Sequence, residues 1–248
     1  MKSDRILFVS HGDKGGVGKS VVSMFAVEKS LEASTVALIE ADPTQPDLGR
    51  RYSHDTHILI GALTLNRAGD AENALSDFGT FLEQSGKNSS RVVVNLPAGA
   101  GETLDAYSDL ILGLADSLDY RLVVTYSLEK NETATRTMLK SLESGLLSVV
   151  EPENRFIVFP TYKGEPETFH WFKSKERKSA EIGEIVMPAL KNHKALSLLE
   201  ASTGRLSKLT DKENRPAGWF IVDQISVYRF YQAGLEAIAP CFDNEEGE

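Results

Sequence analysis

Eight residues constrain this chain more than any other stretch: Asp13-Lys14-Gly15-Gly16-Val17-Gly18-Lys19-Ser20. An apolar run, Ile6-Leu7-Phe8-Val9, precedes them, and an amphipathic segment opens at Val21. The order is strand, glycine loop, helix. Glycines let the backbone approach an anion closely, so its N–H groups can wrap a polyphosphate. The helix that follows points its positive end at the same anion. In that geometry Lys19 reaches the β- and γ-phosphates and the Ser20 hydroxyl binds Mg²⁺. The bland alternative is a tight glycine turn with a stray lysine. The coincidence of the glycines, the Lys-Ser pair and the strand–loop–helix context argues against it.

Around that loop the chain alternates apolar strands with helical patterns. A helix is expected from Ser20 to about Ala33, with Val22, Phe25, Ala26 and Leu31 at helical spacing. Val36–Ile39, apolar without alternation, and Arg91–Asn95 read as buried strands, and Arg121–Thr125, Arg155–Phe159 and Ile182–Met187 as further strands. Ile58-Leu59-Ile60 fits a strand or a short helix. Helices are expected over Ala71–Gln84, Thr103–Leu114, Asn131–Leu147, His193–Ala201 and Gln224–Ile238. This predicts an α/β fold, three layers α/β/α, with a mainly parallel twisted sheet. Ligands bind such sheets at the carboxyl ends of the strands. The glycine loop, Asp42, Asn95 and Thr125 all fall at that end.

The 248 residues are read as one domain over 1–242, with 161–181 as an insertion and 243–248 as an acidic, disordered tail. The single cysteine, Cys241, cannot form an intrachain disulfide. With no leader-like start and no apolar run of membrane-spanning length, it predicts a cytoplasmic protein. The net charge of −9 argues against strong non-specific nucleic-acid binding. The five histidines, His11, His54, His57, His170 and His193, form no zinc-type pattern, and no G-x-S-x-G is present.

The loop departs from G-x-x-x-x-G-K-[ST]: Asp13 stands where that pattern has glycine, and Lys14 sits directly before the double glycine. Here the sequence resembles the ParA/MinD family of deviant Walker A ATPases, whose signature is K-G-G-x-G-K-[ST]. The resemblance implies the P-loop NTPase fold, ATP and Mg²⁺ as ligands, and a homodimer that forms on ATP binding. By resemblance Lys14 crosses the dimer interface to the partner's nucleotide. Lys14, Lys19 and Asp42 are then the catalytic set. Asp13, Gly15, Gly16, Val17, Gly18, Lys19, Ser20 and Val21 hold nucleotide, and Ser20 and Asp42 organise the metal. Asp42 lies in Glu40-Ala41-Asp42, where the family carries an aspartate that orders Mg²⁺ and the attacking water.

Two further segments match in part. The family's Walker B strand ends in aspartate, often followed by proline and glycine. Here Val92-Val93-Val94 ends in Asn95, then Leu96-Pro97-Ala98-Gly99. An asparagine accepts a hydrogen bond from a metal-bound water but brings no charge. Binding is therefore expected to survive, and hydrolysis to be slow or dependent on a stimulating protein partner. Pro188 matches the family's proline beside the base, whereas Pro160-Thr161 replaces its asparagine.

Residues 169–178 mix aromatics with cations. They fit a partner or nucleic-acid dock, or an amphipathic segment with its aromatics in the core. The anionic end, Asn244-Glu245-Glu246-Gly247-Glu248, disfavours membrane cycling. Three functions fit. The first is an ATP-dependent dimerisation switch in partitioning, positioning or conjugative transfer or mobilisation of plasmid DNA; Gly12–Gly16 and Ile185–Leu190 resemble most the family branch linked to mobilisation and conjugation. The second is a nucleotide-gated scaffold with little turnover. The third is a dethiobiotin-synthetase-like ligase.

Overall fold

The structure is a computed structural model that describes residues 4–12, 14–41, 46–64 and 71–243. In chain order the elements are β1 (Ile6–His11), α1 (Lys19–Ser30), β2 (Val36–Glu40), α2 (Asp47–Tyr52), β3 (Ile58–Ala62) and α3 (Ala71–Ser85). Next come β4 (Arg91–Asn95), α4 (Gly101–Ala106), α5 (Ser108–Ser117), β5 (Arg121–Ser127), α6 (Glu132–Ser144) and β6 (Arg155–Pro160). Last are α7 (His170–Lys173), β7 (Gly183–Met187), α8 (His193–Ala201), α9 (Leu206–Leu209) and α10 (Ile221–Ile238).

The strands form one seven-stranded sheet in the order β3-β2-β4-β1-β5-β6-β7, and every pairing is parallel. This is the α/β fold with flanking helices that the sequence predicts. Both sheet faces are covered, so each central strand carries an apolar run, such as Ile6–Val9 and Val92–Val94, with its polar residues at the ends. The side-chain period of two then divides each strand between two cores. Ile6 and Phe8 of β1 enter the core under α1, α2, α8, α9 and α10. Leu7 and Val9 enter the core under α3, α4, α5 and α6.

The ambiguous run at Ile58 resolves as strand β3, paired with β2 from Val36↔Ile58 to Glu40↔Ala62. The helix expected over Thr103–Leu114 is broken at Tyr107, whose φ of −118° and ψ of 28° leave the helical region. Residues 169–178 turn their aromatics into the core and leave His170, Lys173, Lys175, Glu176 and Lys178 exposed: Phe169 and Trp171 are fully buried, and the Trp171 Nε1 donates to Glu184 Oε1 at 2.8 Å. The Arg177 guanidinium lies over the Phe172 ring and pairs with Glu184. Helix α10 presses on α1 so closely that a Cβ at Gly234 would stand 2.1 Å from the Phe25 ring. The tail residues 244–248 lie outside the described residues.

The connection after β1 runs through α1 on one face, and the connection after β4 runs through α4 and α5 on the other. The chain therefore departs in opposite directions between β4 and β1. A crevice opens there at the carboxyl ends of the strands, and it positions everything described next.

Candidate functional site

The loop between β1 and α1 needs its glycines. A Cβ on Gly12 would meet the Ser127 carbonyl at 3.0 Å, and φ there is +148°. Gly16 and Gly18 lie at φ +69° and +91°, where side chains are strained. Gly18 is the N-cap of α1 and supplies no side-chain cap, and the first turn carries no acid. The first amides of this twelve-residue helix are therefore open to an anion held in the loop. Ser10 Oγ fastens the helix start to β1 by donating to the Lys19 carbonyl at 3.1 Å.

Lys19 is 6% exposed, and its ammonium donates to the Lys14 carbonyl at 2.8 Å, folded back across the loop. Val17 is buried beneath the loop. Lys14 is exposed and stands outside the cleft lining, close enough to Glu129 for its charge to act on that carboxylate. Burial raises the Glu129 carboxyl, but the hydrogen bond from Lys163 and the two lysine charges outweigh it and hold the group below its ordinary range.

A cleft of about 410 Å³ lies between the loop (Gly15, Gly16, Gly18, Lys19, Ser20) and Asn95 at the end of β4. Beside it an apolar slot of about 230 Å³ is walled by Val21, Pro160, Met187, Pro188, Leu190 and Phe230. Tyr162 and Gly18 border both spaces. The Tyr162 hydroxyl donates to the Gly16 carbonyl. Burial, then the Glu129 charge, push this phenol up to about 12, so it stays a donor. A polar cleft under a glycine loop, joined to a narrow apolar slot, suits a molecule with an anionic chain and a flat apolar end.

At the far wall the structure makes a pair that the sequence reading missed. Glu40 and Asn95 are opposite each other in register on neighbouring strands. Asn95 Nδ2 donates to Glu40 Oε1 at 2.8 Å, and Glu40 Oε2 accepts from the N–H groups of Leu48 and Gly49, each at 3.2 Å. Asn95 Oδ1 is buried, and no donor among the described residues reaches it. An orphaned acceptor on a residue that lines the same cleft as Ser20 fits a water on a bound divalent cation. Among the described residues no group of three or more His, Cys, Asp or Glu side chains could hold a metal by itself.

Of the sequence-derived site residues, the structure gathers Gly15, Gly16, Gly18, Lys19, Ser20, Val21 and Asn95 around one cleft, and Pro188 lines the adjoining slot. Asp13 and Asp42 lie outside the described residues. Sequence reasoning overlooked Glu40, Tyr162 and Asp47, the first residue of α2, which lines the cleft. Only the strand order reveals Glu40, because 55 residues separate it from Asn95. Among the described residues no helix is long and apolar enough to cross a membrane.

A parallel α/β sheet with a glycine loop leading into a helix at its crevice is a P-loop NTPase-like fold. No protein-family model matches the chain. It is similar to Protein MobD of Acidithiobacillus ferrooxidans, 23% identical over 175 residues, which span 70% of this chain and 71% of that protein. Among solved structures it matches a nucleotide-binding protein from Archaeoglobus fulgidus in complex with ADP. That likeness has a TM-score of 0.45 and 15% identity, and covers 80% of this chain and 88% of the other.

Proposed function

We propose that this chain binds ATP with Mg²⁺ in the loop cleft and works as an ATP-dependent dimerisation switch in the handling of plasmid DNA. The observation that carries the reading is the loop itself: three glycines at positive φ, an uncapped helix start, and Lys19 and Ser20 on the same cleft. The triphosphate lies along the open amides, and the base enters the apolar slot walled by Pro188. Mg²⁺ supplies charge neutralisation at the β- and γ-phosphates. Ser20 and Asn95 face the metal's side of the cleft, with Asp42 assigned by resemblance to the attacking water. Lys14, exposed and outside its own cleft, is the residue offered to a second subunit.

ATP drives association only where the dimer contacts it differently from the monomer. The plasmid role rests on the likeness of Gly12–Gly16 and Ile185–Leu190 to the mobilisation-associated branch, together with the similarity to Protein MobD. A protein partner stimulates hydrolysis, and any nucleic-acid contact is indirect or weak, given the net charge of −9.

The test is mass in solution with ADP, with ATP and with a non-hydrolysable analogue. Wild type doubles its mass with ATP and the analogue. Lys14→Ala binds ATP and stays monomeric, and Lys19→Ala loses binding. A wild type that holds Mg-ATP as a strict monomer rejects the switch. It leaves the second reading, a nucleotide-gated scaffold with little turnover, which the uncharged Asn95 favours.

A further inference from the structure

We propose that Glu40 and Asn95 form one split acidic unit in which Asn95 Oδ1 contacts the metal's water and Glu40 supplies the charge from the neighbouring strand. This rests on the reading that the cleft takes a nucleotide with a divalent cation. Glu40 is a positioning residue, acting through Asn95.

A carboxylate only accepts, so the NH₂ end of the Asn95 amide must be the end that faces Glu40. Its donation to Oε1 at 2.8 Å fixes the amide plane. Oδ1 then has one direction left, and there it is buried with no donor among the described residues. Asn95 is 2% exposed and Glu40 1%, so bulk water does not relieve either group. A buried acceptor without a donor costs free energy, and in a native structure it needs a reason. Asn95 lines the cleft alongside Ser20. A water polarised by a divalent cation is a strong donor, and it is the partner this oxygen lacks.

The charge balance supports the same unit. Magnesium favours anionic surroundings, and an amide alone provides none. Glu40 stands one hydrogen bond behind it and polarises it. An aspartate at position 95 would set two carboxylates against each other across 2.8 Å, so the amide is the residue that a glutamate at position 40 demands. The second Glu40 oxygen holds the start of α2 through Leu48 and Gly49. That helix begins at Asp47, on the wall of the same cleft. The pair therefore joins the metal side of the cleft to α2.

The experiment measures affinity for a fluorescent non-hydrolysable ATP analogue with Mg²⁺ and with chelator, and takes the ratio of the two as the metal coupling. In Glu40→Gln the new amide competes to donate, and the Asn95 amide is free to turn its NH₂ to the cleft. The ratio should fall about tenfold or more, as for other outer-shell partners of metal sites. Glu40→Gln combined with Asn95→Asp moves the charge to the β4 side of the same pair and should restore most of the ratio. Asn95→Ala keeps Glu40 and its hold on α2 but deletes the acceptor. It should lose the coupling as Glu40→Gln does, and it serves if Glu40→Gln fails to fold. Wild-type coupling in Asn95→Ala or Glu40→Gln, or no recovery in a folded double variant, overturns the pair. A wild type that binds no analogue in either buffer overturns the nucleotide reading, and the pair's role with it.

Discussion

The His11 imidazole stands between Asp105 and the loop: its Nε2 donates to Asp105 Oδ1 at 3.1 Å, and its Nδ1 accepts the N–H of Gly12 at 2.7 Å. A backbone N–H only donates, so Nδ1 is the bare nitrogen and the ring proton sits on Nε2. Asp105 Oδ1 also accepts from Ser141 Oγ at 2.6 Å and from the Leu146 N–H at 2.8 Å. Burial raises the Asp105 carboxyl, but these bonds and the histidine outweigh it and hold the group below its ordinary range. The first peptide of the glycine loop is thus tied to α4, α6 and the turn after α6.

His11→Phe tests that tie. It keeps ring packing against Tyr126, whose centroid lies 4.8 Å away, and leaves Asp105 and the Gly12 N–H short of a partner. The cost is about 1–3 kcal/mol. In a domain of this length that lowers Tm by roughly 2–12 °C. Nucleotide affinity should fall beyond what the Tm change explains, since Gly12 opens the loop. Calorimetry and an analogue titration on the same sample check both, and an unchanged affinity would show that the loop holds its shape without the histidine.

Tyr162→Phe removes the hydroxyl that reaches over the loop to the Gly16 carbonyl. A single exchanged hydrogen bond is worth about 0.5–1.5 kcal/mol, so the analogue should bind up to about tenfold more weakly. Tyr162→Ala also strips the ring that borders both the cleft and the slot. Its loss should be larger and should appear with ADP as well. Equal affinity in wild type and both variants would place the ligand away from Tyr162. Because the phenol is held up to about 12, this contact gives no pH dependence in the neutral range.

The glycine loop and the sheet were legible because their causes are local. Lys14–Ser20 needs no partner to be recognised, and strands covered on both faces show as unbroken apolar runs such as Val92–Val94. Strand β4 and helix α8 begin and end where the pattern places them. What stayed hidden depends on neighbours in space. Asn95 reads as a weakened acid until β2 lies beside β4 and Glu40 arrives behind it. The aromatics at Phe169 and Trp171 have no period that separates core from docking surface, and only their packing under the sheet decides. The break at Tyr107 carries no glycine or proline. It lies next to the segment that Asp105 binds to His11, Ser141 and Leu146, a constraint that sequence alone does not display.

Asp55 and Arg205 form a two-pronged pair: Nε to Oδ2 at 2.5 Å and Nη2 to Oδ1 at 2.6 Å, with the Asp55 side chain 5% exposed. The pair ties the segment before β3 to the segment before α9. The arginine hydrogen bond is the largest influence on the Asp55 carboxyl and, against the cost of burial, holds it far below its ordinary value. A depressed acid supplies its stability above the unfolded pKa of 3.8 and loses it as pH falls toward the folded value. Asp55→Asn should therefore cost about 1–3 kcal/mol at neutral pH, the range for leaving a part-buried hydrogen-bonding group without its charged partner. The gap to wild type should narrow once the medium is more acidic than the unfolded pKa. Urea unfolding at neutral and acidic pH measures the gap, and a gap that is flat with pH removes the carboxylate from the account.

Glu28 predicts the opposite slope. It lies in α1 at 2% exposure, and its Oε1 accepts from the Tyr52 hydroxyl at 3.0 Å and the Leu206 N–H at 2.7 Å. Burial is the largest influence and raises its carboxyl, outweighing the hydrogen bonds from Leu206, Tyr52 and the Ser207 backbone and the nearby Arg51 charge. A raised acid keeps its proton in the folded chain after the unfolded chain has released it. Folding stability then falls as pH climbs from the unfolded value of 4.5 through the folded one. Glu28→Gln retains an oxygen for the Tyr52 and Leu206 donors and carries no charge to bury. Its stability relative to wild type should accordingly rise across that window and then level off. The variant should also leave the glycine loop intact, since its contacts reach α2 and the Leu206 amide rather than the loop. Denaturant titrations of both proteins across the window decide it. A relative stability that falls with pH would mean that the Arg51 charge, not burial, governs Glu28.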